Sequence, residues 1–235
     1  MAELSEATRG RMSHTLTKST YVRKLLTLLS KQATLKSRYH HGDLERALVA
    51  TALEVIQVEG VEALTLRRVG TQAGVSRSAL YRHFDDKAAL IVRIASDGFR
   101  LLRDTLMRVR ANASPGAGDT LEVLAAAHVH FARANPSHYA TMFGRGVTDW
   151  QKHPELGRLA DAARGEVVGA IREAQRRGGL GSGDPALIAE VMWALTFGIA
   201  RLGTSSQLAQ TALPAEALAV QGVRWVSDGC QTLSH

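Results

Sequence analysis

From Thr65 to Lys87 the chain reads TLRRVGTQAGVSRSALYRHFDDK, and this run decides the fold. Thr65 and Ser76 are hydroxyl residues of the kind favoured at helix N-caps. Leu66, Val69 and Ala73 recur at helical spacing behind the first of them. Gly74 stands where a residue past a helix end takes the left-handed conformation that glycine permits. The spacing predicts a helix over Leu66–Ala73, a turn filled by Val75 and a second helix over Arg77–Phe84. Two short helices joined by a glycine-containing turn have helix-turn-helix spacing, in which the second helix reads the major groove of DNA.

Working outward, Asp43 caps a helix with Leu44, Ala47, Leu48, Thr51 and Val55 on one face, ending at Gly60. Asp85 caps a long fourth helix to about Arg110, with Leu90, Ile94, Leu101, Thr105 and Val109 at helical spacing. Residues 112–119 (NASPGAGD) are a linker. Further helices follow over Thr120–Ala134, His138–Gly144, Pro154–Arg177, Pro185–Leu202 and Pro214–Leu233, with a turn at Gly178–Asp184. The expected fold is all-α, nine helices in two groups. The expected organisation is a basic, disordered or frayed arm over residues 1–38, a three-helix DNA-binding domain over 39–90, and a helical effector-binding and dimerisation domain over 91–235.

The 235 residues suffice for one large domain or two small ones. A single cysteine, Cys230, excludes a disulfide framework and any zinc site that needs two thiolates. Aromatic residues are only 5%, and short alternating runs punctuated by Gly and Pro are missing, which argues against an all-β fold. The longest apolar run, Val191–Ala200, is short for a bilayer, and no signal peptide is read. A cytoplasmic location is expected.

The net charge is +7, but it is unevenly spread. Residues 1–42 hold eight Lys/Arg and two acids, residues 43–110 eleven and nine, and residues 111–235 ten and eleven. Such a basic arm suits a polyanion, and equally a solubilising tail. The cations of the head are more telling. A helix start carries partial positive charge and disfavours cations in its first turn. Yet Arg67 and Arg68, then Arg77, then Lys87 open three successive helices. A phosphate in front of each start would remove the penalty. The plainer alternative is that such cations on a solvated helix cost only about 0.3–1 kcal/mol.

The stretch Thr65–Val69, Ala73–Ser76 and Leu80–Leu90 resembles the DNA-binding domain of the tetracycline-repressor (TetR) family. The resemblance is strong over residues 43–92. It implies a homodimeric, all-helical repressor with a small-molecule-binding C-terminal domain. By position, Thr65 and Tyr81 match phosphate contacts, and Arg67, Arg77, Ser78 and Ala79 match base-edge readers. His83 and Lys87 match further backbone contacts. Arg77 suits guanine, whose O6 and N7 accept a bidentate pair, and Ala79 suits a thymine methyl. Leu80 and Phe84 belong to the core. Lys36, Arg38, Tyr39 and His40 are placed either as a minor-groove arm or as a loose tail.

Residues 111–235 resemble one branch of the family more weakly, through Phe131–Pro136, Tyr139, Met142-Phe143 and Trp193–Gly198. Phe197 stands where that branch has a histidine, which fits an apolar contact. The last two helices are expected to form a four-helix dimer interface through Trp193, Ala194, Phe197, Gly198 and Trp225. The effector site is expected among His128, Phe131, Tyr139, Met142, Phe143 and Trp150, which mix apolar walls with polar tips. No cluster of acids or arginines accompanies them, so an apolar or weakly polar effector is expected. His128 and His130 lie two apart, on different helix faces, and are not a metal pair. No metal, cofactor or catalytic set is expected, and no enzyme motif is present. The expected partners are a near-palindromic DNA duplex, a small-molecule effector and a second copy of the chain, with no membrane. The expected activity is repression relieved by the effector. The alternatives are an activator on the same scaffold, or a helical ligand-binding or catalytic protein that only looks like a DNA reader.

Overall fold

A computed structural model describes residues 44–113, 117–144, 152–204 and 213–232. Among the described residues there are nine α-helices and no strand. They are α1 (Leu44–Glu59), α2 (Leu66–Gln72), α3 (Arg77–Tyr81), α4 (Lys87–Ala111) and α5 (Ala117–Ala134). After these come α6 (Pro136–Met142), α7 (Pro154–Arg176), α8 (Pro185–Thr204) and α9 (Ala215–Thr232). A 3-10 turn, Val61–Ala63, links α1 to α2.

Helix α5 is the axis of the body. Leu121, Val123–Ala127, Val129, Phe131 and Ala132 are buried around nearly its whole circumference, as a helix enclosed on all sides requires. It packs on α4, α7, α8 and α9. Two carboxylates tie it to α9. Glu122, only 6% exposed, accepts from Arg224 Nε at 3.0 Å and Nη2 at 2.9 Å. Glu216 accepts from Arg133 Nη1 at 2.8 and 2.9 Å.

Several boundaries and faces differ from expectation. Asp86, not Asp85, caps α4, accepting from Ala89 N at 2.7 Å. Helices α2 and α3 are shorter than expected, ending at Gln72 and Tyr81. Helix α6 begins at Pro136, whose missing N–H costs nothing at a first helical position. On α1 the core face is Leu48, Val49, Ala52, Val55 and Ile56. On α4 it is Leu90, Ile91, Ile94, Ala95, Phe99, Leu102, Leu106 and Val109, whereas Leu101 is exposed. Stepping from Ile94 by seven lands on Leu101. The buried face follows the 3.6-residue period through Gly98, Phe99 and Leu102 instead. Helix α8 is long and apolar enough to cross a bilayer by length and composition, which the shorter run Val191–Ala200 did not suggest. In this fold it packs on α5, α7 and α9.

Candidate DNA-reading head and ligand-binding body

The head is assembled by local rules. Thr65 Oγ1 accepts from Arg68 N at 3.2 Å, and Ser76 Oγ accepts from Ala79 N at 3.2 Å, so both short helices are capped. Helix α2 ends in a Schellman motif. Val75 N donates to Gly70 O at 3.0 Å and Gly74 N to Thr71 O at 3.2 Å, with Gly74 at φ +68°. This turn fixes the angle between α2 and α3. Gly70 permits their close approach, since a Cβ there would lie 3.3 Å from Leu80 Cδ1. Leu66, Val69, Leu80 and Phe84 are buried beneath the pair.

Above that base, Thr65, Arg67, Arg77, Ser78, Tyr81 and His83 are exposed, and Ala79 and Lys87 are half-buried. The Arg77 guanidinium lies over the Tyr81 ring, 5.4 Å from its centroid. Ser78 Oγ sits 3.2 Å from Ser76 Oγ. Two of the four first-turn cations have partners inside the molecule. Arg68 forks onto Glu59, with Nη1 to Oε2 at 2.6 Å, so it needs no outside anion. Lys87 Nζ donates to Glu62 O at 3.3 Å. Arg67 and Arg77 have no acidic partner among the described residues.

In the body, His128 is the buried polar centre, 2% exposed. The Thr196 hydroxyl donates to Met192 O (2.9 Å) or Trp193 O (3.0 Å), which leaves its oxygen to accept from His128 Nδ1 at 3.3 Å. His128 Nε2 is then the acceptor for the Tyr139 hydroxyl, 3.1 Å away. Burial lowers the pKa of His128 to about 4, so the ring is neutral at pH 7, in keeping with this tautomer. Burial also pushes the Tyr139 phenol up, against an opposing pull from the Arg201 charge. Beside His128 lies a cavity of about 20 Å³ lined by Leu106, Leu121, Leu124, Trp193, Thr196 and Val223, among others.

Phe143 meets Phe99 edge-on and Tyr139 and Phe197 at a tilt, with centroids 5.5, 4.9 and 4.9 Å apart. Phe131 and Met142 are buried beside them. Phe197 therefore points into this aromatic cluster, and Trp193 stacks on His128 at 4.7 Å. Both rings make contacts within the chain, and each is half-buried. Trp150, together with Lys36, Arg38, Tyr39, His40 and Asp43, lies outside the described residues. The outer face of α8 and α9 instead shows Leu187, Val191, Ala194, Leu202 and Trp225, the last 66% exposed. Gly198 is half-buried, and a Cβ there would meet nothing within 4 Å.

Comparison with known proteins decides the family. Residues 48–94 match the bacterial regulatory proteins of the tetR family, and residues 121–225 match the tetracyclin repressor-like C-terminal domain. The chain belongs to the TetR family. It is 27% identical over 157 residues to an HTH-type transcriptional regulator of Mycobacterium tuberculosis, a match covering 66% of this chain and 65% of that one. Over 49 residues it is 45% identical to the tetracycline repressor protein class C of Escherichia coli, covering 21% of this chain and 22% of that protein. A solved structure of a protein of unknown function from Rhodococcus sp. RHA1 is 31% identical with a TM-score of 0.71, covering 83% of this chain and 100% of that one.

The head of this TetR-family chain is thus the family's helix-turn-helix DNA-binding domain. Its coupling to the body runs through residues that sequence reading missed. Ser137, on α6, donates to Leu53 O of α1 at 2.9 Å. Gly98 lets α6 press against α4, since a Cβ there would lie 2.6 Å from Met142 Sδ. Thr196 orients His128 from another helix. None of the three carries a sequence signal, because each role depends on a residue at least 44 positions away. The short α6 is bonded at once to the head through Ser137 and to the buried histidine through Tyr139.

Proposed function

We propose that the protein is a transcriptional repressor that binds a near-palindromic operator as a homodimer and is released by a small, mostly apolar effector. The observation that carries this reading is the head itself. It offers Arg67, Arg77, Tyr81 and His83 to solvent on a capped helix-turn-helix, with no acid engaging Arg67 or Arg77 among the described residues. In this reading Arg77, Ser78 and Ala79 meet base edges with Arg67, and Thr65, Tyr81, His83 and Lys87 meet the backbone. Two copies pair through the exposed face of α8 and α9, and residues 39–90 act as the reading domain. No catalysis, metal or cofactor is assigned, and the operator places the protein in the cytoplasm.

The effector enters at the His128 cavity, with Phe131, Tyr139, Met142 and Phe143 behind its wall. At about 20 Å³ the cavity holds no more than a water or two, well below the roughly 300 Å³ of ordinary ligand sites. Occupation therefore has to part helices. An entering molecule that breaks the Tyr139–His128 bond tilts α6, and Ser137 carries that tilt to α1. Only a differential affinity for the two head positions shifts DNA binding.

Selection of bound duplexes from a random pool tests the reading. The expected product is a near-palindrome with half-sites about 34–36 Å apart, whose binding falls steeply with salt as phosphate counterions are released. No affinity for any duplex at low salt overturns it.

A further inference from the structure

A second cleft lies at the junction of head and body, about 230 Å³ in volume, separate from the His128 cavity. Ile56, Gln57 and Gly60 of the head form one wall, and Pro136, Ser137, Tyr139 and Ala140 of α6 form the next. Arg201 and Thr204, at the end of α8, close it. Its chemistry is asymmetric. Ile56, Pro136, Ala140 and the Tyr139 ring are apolar, and no acid is among the described lining residues. Among the described lining residues Arg201 is the one cation, and its guanidinium has no ion pair or hydrogen bond among the described residues. The other cross-helix arginines of the body, Arg110, Arg133 and Arg224, each sit on a carboxylate.

We propose that this junction cleft is a ligand site for a small apolar monocarboxylate, aromatic or short-chain, whose carboxylate forks onto Arg201 and whose body lies against Ile56, Pro136 and Tyr139. A planar guanidinium matches a carboxylate through two parallel hydrogen bonds. A single cation balances a single negative charge, so a phosphate dianion would leave one charge uncompensated in a partly apolar cleft. Gln57 and Ser137 flank the site with further polar groups. Because the walls belong to α1, α6 and α8, an occupant favours the head position seen here. This goes beyond the repression reading and does not require it, since binding is measured without DNA.

The test is calorimetric titration of the full-length protein with benzoate and with octanoate, against benzyl alcohol and octanol as uncharged controls. Both carboxylates should bind, and the alcohols should bind at least about tenfold more weakly, as expected when one charge-assisted fork is lost. Arg201→Gln should cost the carboxylates about ten- to a hundredfold and the alcohols nothing. Arg201→Lys should restore part of the loss. Gln57→Trp, an exposed substitution that plugs the cleft from the head side, should abolish binding while leaving the unfolding transition unchanged. The His128 cavity touches neither Gln57 nor Arg201, so these variants separate the two sites. Absence of heat with millimolar benzoate and octanoate, equal binding of acids and alcohols, or indifference to both Arg201→Gln and Gln57→Trp would each overturn the proposal.

Discussion

Arg77 and Arg224 show how differently the two parts of the molecule use one side chain. Arg224, on α9, is forked onto Glu122 inside the body, two hydrogen bonds to one nearly buried carboxylate. Arg77, on α3, lies over an exposed tyrosine ring and meets no acid among the described residues. The body pairs its most buried polar groups internally, through Glu122–Arg224, Arg110–Glu166 and Tyr139–His128–Thr196. The described head holds caps at Thr65, Ser76 and Asp86, the Arg68–Glu59 fork, Lys87 on Glu62 O and Gln72 on Glu54, and none of these engages Arg67 or Arg77. Polar substitutions in the body should therefore change stability with duplex affinity intact, and those on the head should do the reverse.

The comparison breaks most easily at its strongest point. Arg224→Met strips Glu122 of its fork and leaves a carboxylate almost closed off from water. Urea unfolding should show a loss of about 3 kcal/mol or more, while the folded fraction keeps its duplex affinity. A loss below about 0.5 kcal/mol, the ordinary range for surface changes, would mean that the body's ion pairs are as dispensable as surface ones.

The next effect is acid sensitivity. His128 takes a proton in the folded state only near pH 4, against 6.5 for the free side chain. The unfolded chain thus binds more protons in this window, so stability is intact above pH 6.5 and falls as pH drops toward 4. The shift corresponds to about 3 kcal/mol. His128→Gln should flatten that slope in unfolding curves taken between pH 7 and 4. An unchanged slope would place the acid-sensitive group elsewhere.

Gly98→Ala tests the seam between α4 and α6. The added Cβ would fall 2.6 Å from Met142 Sδ and 2.9 Å from its Cγ, and Met142 is fully buried. Overpacking of this kind costs about 1–3 kcal/mol, read as a lower denaturant midpoint. Gly165, with open space around it, gives the control. There Ala should be neutral or slightly stabilising.

The head closes the series, with effects on recognition alone. Arg77→Ala should lose about 1–3 kcal/mol of discrimination between operator and scrambled duplex, with stability within about 0.5 kcal/mol of the parent. Lys87→Ala should weaken all duplexes alike and lower the salt slope by about 1. Equal losses for both variants on every duplex would erase the distinction between base reader and phosphate clamp.

The head was the more legible half because its structure is made by neighbours in sequence. Thr65 caps Arg68, Ser76 caps Ala79 and Gly74 turns the chain, all within five residues of their partners. The body was legible as helices but not as faces. The apolar residues of α8 are spread around it, so nothing local says that Trp193 and Phe197 turn inward while Val191 and Leu202 turn out. Arg68 shows the same limit inside the head. Its place in a first turn suggested an outside anion, but Glu59 reaches it across the 3-10 turn.

The sequence by itself determined the nine helices of the described residues, the helix-turn-helix and the family, because caps, turns and helical periodicity act over a few residues and leave their mark in order along the chain. Only the tertiary structure decided which arginines have partners and how His128 is protonated. It also decided that α6 ties head to body and that a cleft with Arg201 opens at their junction. Those depend on side chains brought together from helices dozens of residues apart, where packing rather than local order chooses the neighbour.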